Sequence, residues 1–300
     1  MRLELNINTE KMRLIYTVTF LCIIGVSWGS LSAEEETIKP DKIVVYKDVG
    51  SSELKLHVFT PADQDLSAKV PVVVFFFGGG WTGGTPKQFY QQARDFTKLG
   101  MVAISAEYRI EKTHGTTPFE CVKDGKSAIR WVRKHSDEWG IDASKVIAAG
   151  GSAGGHVAAC TGVIEGHEEE GEDLTVSSLP NAMMLYNPVM DTTEKGYGLR
   201  KVGKARKTEI SPCHHVQKGI PPTLIFHGTA DKTVPFENVE RFTALMKEAG
   251  NNCVIIPFKG KGHGFFNGSF FRPKKGDADY DITMARSIEF LSELGYDLGK

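Results

Sequence analysis

The chain has 300 residues, 41% of them hydrophobic and 24% charged, proportions that allow a sizeable core in one large α/β domain or two small ones. Its 36 basic residues nearly balance 37 acidic ones, for a formal net charge of −1. Without a global field to draw it to polyanions, no nucleic-acid partner is expected.

Near the N-terminus Lys11, Met12 and Arg13 precede LIYTVTFLCIIGV, which carries no charge, and the small-residue run SWGSLSA follows. Basic, apolar and small segments in this order describe a secretory signal peptide over residues 1–33, with Met12 as an alternative start. Cleavage is expected after Ala33 or just after Gly29. The apolar run is shorter than the roughly 20 residues of a spanning helix, so an uncleaved anchor is the lesser reading. A secreted or periplasmic protein with no stable membrane insertion is therefore expected. Export leaves Cys121, Cys160, Cys213 and Cys253, whose spacing lacks a zinc-site pattern, and any disulfide pairing stays open. No metal or cofactor is expected, and the oligomeric state is not legible.

From residue 42 onward, β-rich runs alternate with helical patterns. KIVVY (42–46) and LKLHVF (54–59) read as an antiparallel opening pair joined by the turn DVGSSE. VPVVVFFF (70–77) is a continuous apolar run, as in a strand buried on both faces. PKQFYQQARDFTKLG opens on proline and closes on glycine, which predicts a helix. MVAISAEY follows as a strand. In PFECVKDGKSAIRWVRKHSDEWG, Cys121, Ala128, Trp131 and Val132 recur at helical spacing, and KVIAAG is the next strand. NAMMLY (181–186), TLIFHG (223–228) and NNCVIIPF read as strands, ENVERFTALMKEAG and YDITMARSIEFLSEL as helices. This alternation predicts a single α/β domain over 34–300, with a mostly parallel central sheet and helices on both faces. Only about 163–218 is poorly patterned; it reads as a small cap or long loops, with the acidic run EGHEEEGED solvated.

Gly150-Gly151-Ser152-Ala153-Gly154 fits G-x-S-x-G, with a strand before it and an apolar helical stretch behind it. In that context the serine is expected on a strained strand-to-helix turn, its hydroxyl raised above the sheet end, and the glycines avoid collisions there. A serine hydroxyl needs a base. Asp231 and His263 each fall just past a predicted strand, at the edge where ligands bind in open α/β sheets, so His263 would take the proton and Asp231 would orient the imidazole. Phe77-Gly78-Gly79-Gly80-Trp81 follows the strand 70–77, and amides of such a loop, with that of Ala153, could hold an oxyanion. The other histidines have plainer readings: His227 braces a strand end, His156 packs behind the serine, and His167 lies in the solvated acidic run.

In order, FFFGGGW, SAEYRI, GGSAGGH, HGTADKTVPF and GHGFF resemble the esterase/lipase branch of the α/β-hydrolase superfamily, which holds hormone-sensitive-lipase-like and acetylxylan-esterase-like enzymes. The resemblance spans about 42–295. It implies an α/β-hydrolase fold, a catalytic triad of Ser152, Asp231 and His263, and oxyanion donors at Gly79, Gly80 and Ala153. Tyr108, Arg109 and Asp124 match positions that brace the fold. One departure is visible: such glycine loops usually open with histidine, and this chain has Phe77, which cannot make the hydrogen bonds by which a histidine shapes the loop.

Trp81, Phe265 and Phe266, with Phe270 and Phe271, suggest an apolar, aromatic pocket lining, although some are expected in the core. The expected activity is hydrolysis of short acyl esters, acetyl among them, on a small molecule or a carbohydrate. An arylformamidase or a serine peptidase would use the same triad, and a non-catalytic binding module of the same fold is the alternative from another class.

Overall fold

The computed structural model describes residues 37–50 and 52–299; the expected signal peptide, including Cys22, lies outside the described residues. Two short strands open the fold, β1 (Lys42–Asp48) and β2 (Glu53–Phe59), paired antiparallel. Then come β3 (Val70–Phe76), α1 (Tyr90–Thr97), β4 (Val102–Ala106), the one-turn α2 (Glu111–His114), α3 (Pro118–Lys134), β5 (Ile141–Gly151) and α4 (Ala153–Val163). The second half holds β6 (Ala182–Tyr186), the one-turn α5 (Leu199–Val202), β7 (Thr223–Gly228), α6 (Phe236–Glu248), β8 (Cys253–Phe258) and α7 (Ala278–Glu293).

All eight strands join one sheet in the order β1-β2-β4-β3-β5-β6-β7-β8. From β4 to β8 every pairing is parallel; only β1–β2 and β2–β4 are antiparallel. Strand periodicity divides the apolar run of β3 between two cores. Val72, Val74 and Phe76 face a layer built from α3, α4 and α6, whereas Val73 and Phe75 face α1 and α7. This is why the run reads as continuously apolar: both faces of the strand are covered. Every residue of α4 is buried, in keeping with its mostly small and apolar sequence. From Ile38 onward the chain clusters as one unit. No helix among the described residues is long and apolar enough to cross a membrane.

Two expected boundaries shift. The helix predicted from Pro118 stops at Lys134; a separate 3-10 turn at Asp137–Trp139 and the left-handed Gly140 (φ 60°) turn the chain into β5, which starts earlier than KVIAAG. The poorly patterned stretch contains β6, and its remainder consists of loops with short helical turns. Its acidic run is not solvated as expected. Glu168 pairs with Lys126 at 2.7 Å and Arg130 at 2.8 Å, Glu169 pairs with Lys47 at 2.6 Å and with Arg109, and Glu172 meets Arg130. Burial alone would raise the Glu169 carboxyl, but its bonds to Lys47 and Arg109 pull it down to about 2. Cys121, Cys160, Cys213 and Cys253 are all buried free thiols.

Candidate active site

Because β3, β5, β7 and β8 run parallel, the loops that follow them emerge at one edge of the sheet. The glycine loop follows β3, Ser152 follows β5, Asp231 follows β7 and His263 follows β8. Four segments distant in sequence thus meet at the edge where open α/β sheets bind ligands.

Ser152 joins β5 to α4 with φ 55° and ψ −121°, a conformation that L residues rarely adopt. The flanking glycines make this turn possible. A Cβ on Gly150 would lie 2.4 Å from the Gly154 carbonyl oxygen, and one on Gly154 would lie 2.1 Å from that of Phe76. The Ser152 amide donates to the Tyr186 carbonyl at 2.9 Å, fixing the turn against β6.

His263 stands between the other two residues. Its Nε2 lies 2.8 Å from Ser152 Oγ and its Nδ1 lies 2.7 Å from Asp231 Oδ2. The Asp231 side chain is fully buried. Burial would raise its carboxyl, yet hydrogen bonds from His227, His263 and the amides of Thr233 and Val234 outweigh that and hold it far below the usual carboxylate range. An ionised carboxylate only accepts, so it places the His263 proton on Nδ1 and leaves Nε2 to accept from the serine. His227 Nε2 also meets the Val234 carbonyl at 3.0 Å, in line with a bracing role. His156 is a structural bystander: its Nε2 bonds the Ile210 carbonyl at 2.6 Å, and burial pushes its pKa down to about 4.

The glycine loop is held without the histidine that usually opens it. The Phe77 ring stacks on Tyr108 at 4.3 Å, and the Tyr108 hydroxyl donates to the Phe77 carbonyl at 2.6 Å. Gly78 N–H donates to Gln88 Oε1 at 2.6 Å, Gln88 Nε2 donates to Asn267 Oδ1 at 2.9 Å, and Asn267 Nδ2 donates to the Gly264 carbonyl at 2.9 Å. This side-chain amide chain ties the loop to the segment that carries His263. At Gly79 (φ 138°) a Cβ would fall 2.1 Å from the Gly83 carbonyl oxygen, so only glycine fits. Among the described residues the amides of Gly79, Gly80 and Ala153 carry no internal hydrogen bond, which leaves them available to a ligand.

A cleft of about 380 Å³ opens over Ser152 and His263, with Gly79, Gly80, Tyr197 and Phe266 in its walls. The aromatic lining differs from expectation. Phe266 and Phe271 line the cleft, whereas Trp81 and Phe265 do not. Trp81 is 1% exposed and lies edge-on to His156 at 5.1 Å beneath the loop. Phe265 packs on Phe258 at 4.2 Å, and Phe270 stacks on Tyr90 at 6.2 Å. Proximity in sequence to a candidate catalytic residue does not fix which way a ring points. Tyr197, Gln88 and Arg272 border the cleft without any motif to announce them, and Thr233 borders it from within HGTADKTVPF. Tyr108, Arg109 and Asp124 brace the fold as expected, Arg109 gripping the buried Asp124 with Nε and Nη2 at 2.8 and 2.7 Å. No group of metal-ligating side chains occurs among the described residues.

Comparison with known proteins gives matches in both sequence and structure. Residues 56–194 match the BD-FAE family model, and residues 182–293 match that of the dienelactone hydrolase family. The structure superposes on esterase 2 of Thermogutta terrifontis, solved phosphoramylated by tabun, with 45% identity and a TM-score of 0.80; the match covers 85% of this chain and 95% of that one. The chain belongs to the α/β-hydrolase family of serine esterases. The Thermogutta esterase has also been solved with propionate bound (44% identity, TM-score 0.79, 85% of this chain and 94% of that one) and with butyrate bound. Among curated relatives, esterase LipC of Mycobacterium tuberculosis is 27% identical over 67% of this chain and 55% of its own length. An acetylxylan esterase of Xylanibacter ruminicola is 26% identical over 65% of this chain and 41% of its own. The chain spans about half the length of these curated relatives.

Proposed function

We propose that this esterase hydrolyses short-chain carboxylic esters through an acyl-enzyme on Ser152. The observation that carries the reading is the unbroken chain of contacts from Ser152 Oγ to His263 Nε2 and from His263 Nδ1 to Asp231, at 2.8 and 2.7 Å. Ser152 Oγ attacks the ester carbonyl as its proton passes to His263 Nε2, and Asp231 stabilises the imidazolium that forms. The free amides of Gly79, Gly80 and Ala153 receive the oxyanion of the tetrahedral intermediate. Collapse expels the alcohol, which takes the proton from His263. A water then attacks the acyl-serine with His263 again as base, releasing the carboxylic acid and restoring Ser152.

A short acyl group is supported by the modest cleft and by the propionate and butyrate complexes of the Thermogutta relative. An acetylated carbohydrate is our reading of the natural substrate, supported by the distant acetylxylan esterase. We read the protein as exported, on the basic, apolar and small-residue order of its first 33 residues. A series of 4-nitrophenyl esters from acetate to octanoate, run beside acetylated xylan and an N-formyl arylamine, tests the activity. The expected result is the highest kcat/KM among acetate, propionate and butyrate. Preference for octanoate, or for the formamide, would overturn it.

A further inference from the structure

We propose that the cleft selects esters whose alcohol part carries an anionic group, a carboxylate above all, and that Arg272 recognises it. This rests on the esterase reading above and specifies its substrate. Arg272 borders the same cleft as Ser152 and His263. Its backbone is fixed by bonds from its amide to the Gly268 carbonyl, 2.9 Å, and from the Lys275 amide to its own carbonyl, 3.0 Å. Its guanidinium meets no carboxylate among the described residues. Arg94, Arg109, Arg130, Arg206, Arg241 and Arg286 each pair with an acid, whereas Arg133 is held by carbonyl and amide oxygens and Arg200, like Arg272, meets no carboxylate among the described residues.

The surroundings intensify the positive charge. Lys274 and Lys275 follow on the same exposed turn, and Lys275 Nζ bonds the Gly264 carbonyl at 3.1 Å. Burial lowers the Lys275 pKa, and the neighbouring charges of Arg272 and Lys261 lower it further, against the opposing pull of Asp279. The nearby carboxylates are engaged elsewhere: Asp277 accepts from the Ser269 amide and hydroxyl, both at 2.6 Å, and Asp279 pairs with Lys261 at 2.9 Å. Arg272, Lys261, Lys274 and Lys275 outnumber Asp277 and Asp279, and the surplus positive charge attracts an incoming anion. A guanidinium fork matches a carboxylate in two parallel hydrogen bonds.

Position assigns the anion to the alcohol side. Arg272 Nη2 lies 3.0 Å from where a Cβ on Gly264 would sit, so the guanidinium stands beside the residue that follows His263. His263 delivers its proton to the departing alcohol, whereas the glycine loop holds the acyl oxygen. An O-acylated sugar acid has the required chemistry: a small acyl group on a hydroxyl, with a carboxylate on the alcohol that leaves.

The test compares 4-acetoxybenzoate with its uncharged methyl ester in wild type, Arg272→Gln and Arg272→Glu. The intrinsic difference between the two leaving groups is common to all three proteins and cancels. The ratio of kcat/KM values, anionic over neutral, should fall about fivefold in Arg272→Gln, as for loss of one partly exposed ion pair. It should fall further in Arg272→Glu, and the gap should shrink in high salt. A ratio unchanged by both substitutions would overturn the inference while leaving the esterase reading intact. Failure of the folded wild type to hydrolyse the neutral ester would overturn the esterase reading, and the inference with it.

Discussion

Asp231 and Asp124 both have fully buried side chains, and they are put to opposite uses. Asp231 receives only neutral donors: His263 Nδ1 at 2.7 Å, His227 Nε2 at 3.4 Å, and the amides of Thr233 and Val234 at 2.8 and 3.1 Å. Asp124 is held by full cations, Lys47 at 2.7 Å and the fork of Arg109, with the Arg109 amide adding a fourth donor at 2.9 Å. The charge on Asp231 is solvated by dipoles yet lacks a counter-ion until His263 takes a proton. That is what lets it favour the imidazolium. The charge on Asp124 is already cancelled, so it has nothing to offer a moving proton and serves to lock β1, the loop after β4, and α3 together. Burial of a carboxylate does not decide its role; the charge state of its partners does.

The sharpest way to break this contrast is to remove each charge in turn. Asp231→Asn should lower kcat by about 10⁴-fold while the protein stays folded, because the amide favours the wrong imidazole tautomer. Steady-state rates beside a melting curve check it, and near-normal kcat would place Asp231 with the structural aspartate. Asp124→Asn should do the reverse, costing about 3–5 kcal/mol of stability by leaving Lys47 and Arg109 short of a counter-charge. Denaturant titration measures this, and kcat of the folded fraction should be unchanged. Gln88→Ala cuts the amide chain between the glycine loop and the His263 segment. Its expected cost is about 10- to 100-fold in kcat/KM from misplaced oxyanion donors, with little loss of stability.

The smallest effect at neutral pH belongs to His156, a buried group with no charged partner. Its folded pKa, about 4, lies below the ordinary imidazole value, so between roughly pH 6.5 and 4 the unfolded chain binds the extra proton. Stability should therefore fall on acidification through that window, by up to about 1.4 kcal/mol per pH unit from this residue. Stability curves of wild type and His156→Gln from pH 7 to 4 should diverge by that slope. Parallel curves would show that His156 binds its proton in the folded state as readily as in the unfolded one.

The candidate triad was legible because each member sits just past an apolar run that reads as a strand, and parallel strands bring such positions to one edge. Strand limits followed the same logic: TLIFHG coincides with β7. What hydrophobic pattern could not convey was side-chain direction and long-range polar pairing. Trp81 and Phe265 flank the site in sequence but point into the core. Gln88 and Asn267 are separated by 179 positions, and neither residue type distinguishes a clamp from a surface amide. The acidic run looks like any solvated loop until α3 presents Lys126 and Arg130 to it. Tyr197 and Arg272 reach the cleft from segments with no periodicity at all.

The central claim is that Ser152, activated by His263 and Asp231, is the nucleophile. Treatment with a fluorophosphonate, followed by intact-mass and peptide mapping, tests it most directly. The account predicts one adduct per chain, on Ser152, retained in folded Asp124→Asn and absent in Ser152→Ala. A folded wild-type protein that stays unlabelled, or carries its adduct on another residue, would contradict it.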